Sequence, residues 1–115
     1  MLISIITSEA QVEHVLETAG KTLVILDFYV DWCCPCHIMD KYLKDISHYY
    51  RATVLKIDVD QFHGLANRYR VTSMPTFIFI KQGKMIDIAN ISRNSAANVE
   101  LTAANVEPEA ANVEW

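Results

Sequence analysis

Nine consecutive residues, Thr22-Leu23-Val24-Ile25-Leu26-Asp27-Phe28-Tyr29-Val30, are almost all apolar. A strand with one wet face alternates apolar and polar side chains. An unbroken run instead suits a strand buried on both faces, at the centre of a covered sheet. One carboxyl, Asp27, stands in the middle of this run, where a lone charge is costly to desolvate. Straight after the run comes Asp31-Trp32-Cys33-Cys34-Pro35-Cys36, and then a helical pattern. The buried strand therefore delivers its chain to a cysteine cluster at the start of a helix.

The rest of the chain fits around that strand. Residues 2–6 are apolar and β-branched, a strand signal. Ser8 followed by Gln11 reads as a capping box, Val12, Val15, Leu16 and Ala19 repeat at helical spacing, and Gly20 supplies the stop. Residues 34–50 read as a helix with Ile38, Tyr42, Ile46 and Tyr49 on one side. Residues 53–59 are a second apolar strand, and Phe62, Leu65, Ala66 and Tyr69 mark a short helix. Residues 76–81 form a strand, and Gln82-Gly83 turns it into a weaker one at 84–89. The order is β-α-β-α-β-α-β-β-α. Its alternating part implies parallel strands with helices on both faces, and the hairpin adds an antiparallel edge. The expected class is α/β, a mixed sheet of about five strands.

The C-terminal part is different in character. Ala-Ala-Asn-Val-Glu occurs three times, from Ala96, Ala103 and Ala110, with a period of seven. Val99, Ala103 and Val106 fit one face of a last packing helix, and Pro108 should end it. The expected division is a domain over 1–107 and an acidic tail over 108–115. Every Lys and Arg lies at or before Arg93, while Glu100, Glu107, Glu109 and Glu114 follow, so the last residues carry the whole net charge of -4. No basic face is implied, which argues against nucleic acid as a partner. There is no apolar run long enough to span a membrane, and the N-terminus lacks the basic leader and cleavage site of a signal peptide. A soluble, cytoplasmic protein is expected.

The three cysteines of the chain, Cys33, Cys34 and Cys36, fall within four residues. A structural disulfide framework would spread them out; clustering points to chemistry. A helix start offers unpaired N–H groups and the positive end of the dipole. A Cys33 thiolate there is stabilised and nucleophilic near neutral pH. Cysteines three apart on one turn can also close a small, reducible disulfide. Two other uses of the cluster compete. Cys33-x-x-Cys36-His37 matches the haem-attachment string, although that motif does not belong directly after a buried strand. Thiols and a histidine on one turn cannot surround a tetrahedral ion alone, which leaves an iron–sulfur cluster or metal shared within a dimer. A non-catalytic binding module is the third alternative.

Asp27-Phe28-Tyr29-Val30-Asp31-Trp32-Cys33-Cys34-Pro35-Cys36 resembles the active-site run of the thioredoxin family. Val71-Thr72-Ser73-Met74-Pro75-Thr76-Phe77 resembles that family's cis-proline segment, and Lys81-Gln82-Gly83 its strand–turn signal. The resemblance spans about residues 2–91 and is nearest to animal, insect-like, cytosolic members. It implies the thioredoxin fold and a thiol–disulfide oxidoreductase that reduces protein disulfides without a cofactor or metal. Cys33 would attack, Cys36 would resolve, and buried Asp27 would relay a proton to or from Cys36. Lys56 matches a lysine that sits near that carboxyl in some members. Trp32, Cys34, Pro35, Met74 and a cis Pro75 would contact the substrate, with the Met74 backbone pairing to a substrate strand. Implied partners are disulfide-containing proteins and an NADPH-dependent thioredoxin reductase. The protein would be a monomer in the cytoplasm with access to the nucleus, and oxidation could link a dimer through Cys34. Four positions depart from the family pattern. Cys34 replaces a glycine, His37 a Lys or Arg, Lys41 a helix-kinking proline, and Ala89-Asn90-Ile91-Ser92 a Gly-Ala pair. They bear on substrate choice and redox potential, not on the exchange itself.

Overall fold

The computed structural model describes residues 2–90. The expected last helix, the 1–107 boundary and the acidic tail over 108–115 lie outside the described residues. Five strands and three helices alternate: β1 Leu2–Ile5, α1 Glu9–Thr18, β2 Val24–Tyr29, α2 Cys34–Tyr50, β3 Thr53–Asp58, α3 His63–Arg68, β4 Thr76–Lys81 and β5 Lys84–Asn90. The strands form one sheet in the order β1-β3-β2-β4-β5. The unbroken apolar run thus supplies the central strand, and Val24 to Phe28 are all buried.

Side-chain alternation along the strands divides the core into two faces. Leu23, Ile25, Ala52, Val54, Phe77 and Phe79 pack with Met39, Leu43 and Tyr50 of α2. Val24, Leu26, Phe28, Leu55, Ile57, Ile78 and Ile80 pack with Val12 of α1 and with Leu65 and Ala66 of α3. Helices therefore cover both faces. Asp27, in step with Leu23 and Ile25, belongs to the α2 face, as does Lys56, in step with Val54.

Three details differ from the sequence reading. First, β1, β3 and β2 run parallel, but antiparallel pairing begins at β4 against β2, not only at the hairpin. A parallel crossover must carry the chain back along a strand of roughly 20 Å. The six residues of α3 span only about 9 Å, so β4 enters from the other end. Second, the buried side of α2 carries Cys36, Met39, Leu43 and Tyr50. Of the expected ladder, Tyr42 and Ile46 only flank that core, and Ile38 and Tyr49 are 63% and 67% exposed. Both ladders are apolar at helical spacing, and the one that starts at the cysteine turn faces the sheet. Third, Ser8 caps α1 by accepting from the Gln11 N–H, but Gln11 Oε1 reaches back to Thr7, at 2.9 Å from its N–H, one residue short of a full capping box.

Gln82 and Gly83 close the hairpin with φ of 51° and 77°. Two successive left-handed residues match the twist of the flanking strands, and glycine takes the second position without strain.

Candidate active site

The site forms where β2 ends and α2 begins. Cys33 is the N-cap of α2, in extended conformation, and its Sγ accepts the Cys36 N–H at 3.1 Å. Cys34 and Pro35 make the first helical positions, where a proline loses no intrahelical hydrogen bond. Of these two residues only the backbone is described. Cys33 and Cys36 are joined by a disulfide, with their Cα atoms 5.3 Å apart. Cys33 and Cys36 are 6% and 5% exposed. Exposure does not tell them apart in the disulfide form. The Cys36 N–H and the helix dipole do, because both act on Cys33 Sγ.

Val30 and the two cysteines share a small apolar cluster with Met74, Val59 and Tyr29. The Met74–Pro75 peptide bond is cis, and Pro75 is buried. This loop brings the Met74 carbonyl oxygen to 3.7 Å from Cys33 Sγ. Thr76 Oγ1 donates to the Ser73 carbonyl at 2.6 Å and holds the loop closed on β4. Trp32 is 74% exposed, so it is not a core residue. Its indole Nε1–H points to Asp60 Oδ2 at 3.4 Å. The His37 ring Nε2–H donates to the Asp31 carbonyl at 2.8 Å, folding the ring back over the loop before the helix.

Asp27 is 2% exposed and sits between Lys56 of β3 and Phe77 of β4 in the sheet register. Burial pushes its carboxyl from 3.8 up to about 7, against the pull of Lys56, while Asp40 pushes it further up. Lys56 is beside Asp27 as expected, but its ion pair is with Asp40, Nζ to Oδ1 at 2.8 Å, and its ammonium also lies 4.9 Å from the Tyr29 ring centroid.

The structure thus brings Cys33 and Cys36 together with Met74 and pairs Asp27 with Lys56 in the sheet register; Trp32 precedes Cys33 and Pro75 follows Met74 in the chain. Two neighbours were not singled out from sequence. Asp40 lies one helical turn beyond Cys36, and that spacing is its signal. Asp60 follows the carboxyl end of β3, where sites in such sheets collect. Among the described residues no group of three or more His, Cys, Asp or Glu side chains could hold a metal ion.

Comparison with known proteins agrees with the geometry. The thioredoxin family model matches residues 3–105. Thioredoxin-1 of Drosophila melanogaster is 47% identical over 73 residues, covering 62% of this chain and 68% of its own. The crystal structure of the germline-specific thioredoxin Deadhead from the same fly superposes with a TM-score of 0.76. It is 35% identical and covers 90% of this chain and 97% of its own. The thioredoxin NaTrxh of Nicotiana alata gives a TM-score of 0.78 at 27% identity, covering 92% of this chain and 90% of its own. A buried central strand leads to a Cys-x-x-Cys disulfide facing a cis-proline loop, and the family model runs through both segments: this chain belongs to the thioredoxin family.

Proposed function

We propose that this protein reduces protein disulfides in the cytoplasm by a two-step exchange in which Asp27 carries a proton for Cys36. The chain is a thiol–disulfide oxidoreductase built on the Cys33–Cys36 pair. In the reduced protein the Cys33 thiolate attacks one sulfur of a target disulfide. A Cys33–target bond forms, the target S–S bond breaks, and the leaving sulfur takes a proton as a thiol. The Asp27 carboxylate then accepts the Cys36 proton. The Cys36 thiolate attacks Cys33 Sγ, forms the internal disulfide and expels the second target sulfur, which is protonated in turn. The target gains two electrons from the Cys33–Cys36 pair and two protons, one originating on Cys36 and handed on by Asp27, the other from solvent in place of the proton Cys33 had already released. The oxidised protein is returned to the dithiol by an NADPH-dependent thioredoxin reductase.

A general base works best when its pKa lies near the operating pH, and a carboxyl raised to about 7 meets that condition. Lys56 supports Asp27 from the next strand. Exposed Trp32 and the backbone of Met74, with Cys34, Pro35 and Pro75 beside them, contact the target as an added strand. The protein acts as a monomer without a cofactor. An exposed Cys34 would give a disulfide-linked dimer only under oxidation.

The observation that carries this reading is the Cys33 Sγ at a helix N-cap, receiving the Cys36 N–H. Insulin reduction with dithiothreitol tests it, wild type beside Cys36→Ser. Turnover by the wild type and its loss in the variant are expected. Equal turnover in both would exclude Cys36 as the resolving group.

A further inference from the structure

Lys56 stands between two carboxylates of opposite character. Asp27 is its register partner on β2 and is buried. Asp40 reaches down from α2 and takes the ammonium at 2.8 Å; the two side chains are 18% and 41% exposed. The ion pair therefore sits at the rim between helix and sheet, with the Tyr29 ring beneath the ammonium. A cation held by a half-exposed carboxylate is withheld from the buried one beside it.

We propose that Asp40 is a positioning residue for the exchange reaction: it holds the Lys56 ammonium at the rim and leaves the Asp27 carboxyl without a direct counter-ion. The inference rests on the reading of Asp27 as the proton carrier. The charged groups around this carboxyl are few. Lys56 on β3 lowers its pKa and Asp40 on α2 raises it. Tyr29 of β2 faces the same ammonium, Asp58 ends β3 and acts on Tyr29, and β4 offers Phe77 as neighbour. Asp40 thus acts twice, directly through its charge and indirectly by occupying Lys56. When Asp27 ionises, its new charge competes for the ammonium. When Asp27 accepts the Cys36 proton, the ammonium falls back to Asp40. The base strength of Asp27 is set by which carboxylate owns the lysine.

The indirect route can be isolated in the full reduced chain. Carboxyl ¹³C NMR would give the Asp27 titration midpoint in wild type, Asp40→Asn, Lys56→Met and the double variant. Asp40→Asn should lower the midpoint by about half a pH unit or more, since it frees the lysine for Asp27. Lys56→Met should raise it. With Lys56 absent, Asp40→Asn should move the midpoint clearly less than with Lys56 present, which is the non-additivity of a shared partner. Asp40→Glu should return the midpoint towards wild type. The pH at which resolution of a Cys33 mixed disulfide reaches half its maximal rate should follow the midpoint. Equal shifts with and without Lys56 would overturn the proposal, as would no shift in either. A purely structural ion pair would change thermal stability and leave the midpoint in place, which also overturns it. Failure of the proton-carrier reading has a separate sign: Asp27→Ala would resolve mixed disulfides at the wild-type rate, while the NMR coupling would still decide who holds Lys56.

Discussion

Cys33 Sγ lies 3.7 Å from the carbonyl oxygen of Met74, a residue 41 positions away in sequence. The sulfur proposed to attack and the backbone proposed to bind the target strand are thus neighbours, so a target strand paired to Met74 would hold its own disulfide close to Cys33. The same contact places a carbonyl beside the sulfur, so stabilisation of the thiolate must come from the other side, from the Cys36 N–H and the helix start.

That asymmetry predicts unequal thiols. In the reduced protein, limited alkylation near pH 6 followed by mass spectrometry should label Cys33 at least about tenfold faster than Cys36, because only Cys33 caps the helix. Similar burial in the disulfide form makes this a test of electrostatics rather than of access. Preferential labelling of Cys36 would reverse the assignment.

Removal of the resolving sulfur should convert a turnover reaction into a trap. Cys36→Ser should accumulate mixed disulfides through Cys33, visible on non-reducing gels and released by dithiothreitol, with insulin reduction down by about a hundredfold or more. Retained turnover would mean that Cys34 resolves instead, which requires a strained link between adjacent residues.

Asp27 makes a prediction about stability as well as rate. Its carboxyl titrates at about 7 in the folded protein and at 3.8 ordinarily, chiefly because it is buried. Between those values the folded chain keeps a proton that the unfolded chain has released. Stability must therefore fall as pH rises through this window and level off above it. The full loss is about 4 kcal/mol. Asp27→Ala lacks the slope, so its advantage in urea unfolding should be small near pH 4 and reach a few kcal/mol at pH 8, alongside slower disulfide reduction. A variant less stable than wild type at pH 8 would contradict an Asp27 buried without a full counter-ion.

These residues could be read from sequence because each is chemically out of place there. Pro75 was legible only through the family resemblance of its segment, whereas a carboxyl inside an apolar run and cysteines at the start of a helix are conspicuous wherever the chain puts them. Asp40 and Asp60 are not. An acidic residue on a helix or just after a strand looks like any solvated charge until the fold brings Lys56 or Trp32 to it across 16 or 28 residues. The direction of β4 was hidden for a different reason. It depends on whether α3 is long enough to span the sheet, and periodicity alone does not set that length. The buried face of α2 was hidden because two apolar ladders overlap on one helix, and only the sheet chooses between them.

Trp32 should matter for binding and not for folding. It is largely exposed, and among the described residues its polar contact is to Asp60 on the surface. Trp32→Ala should shift stability by no more than about 0.5 kcal/mol, as for surface sites in general. It should raise KM for insulin severalfold while leaving the rate with a small aromatic disulfide near wild type, since only a protein target reaches across the indole. An equal loss with both substrates would place Trp32 in the chemistry instead of the docking surface.

Cys34 directly follows Cys33 in the chain. The exchange steps use Cys33 and Cys36, so Cys34→Gly should leave disulfide reduction nearly intact. A third thiol next to the Cys33–Cys36 pair, if accessible, can be oxidised and bridge two molecules. Peroxide treatment of the wild type should therefore give a dimer on non-reducing gels, and Cys34→Gly should remove that band. A dimer that persists in the variant would show that another cysteine forms the bridge. A large loss of insulin reduction, with the fold intact, would make Cys34 part of the mechanism.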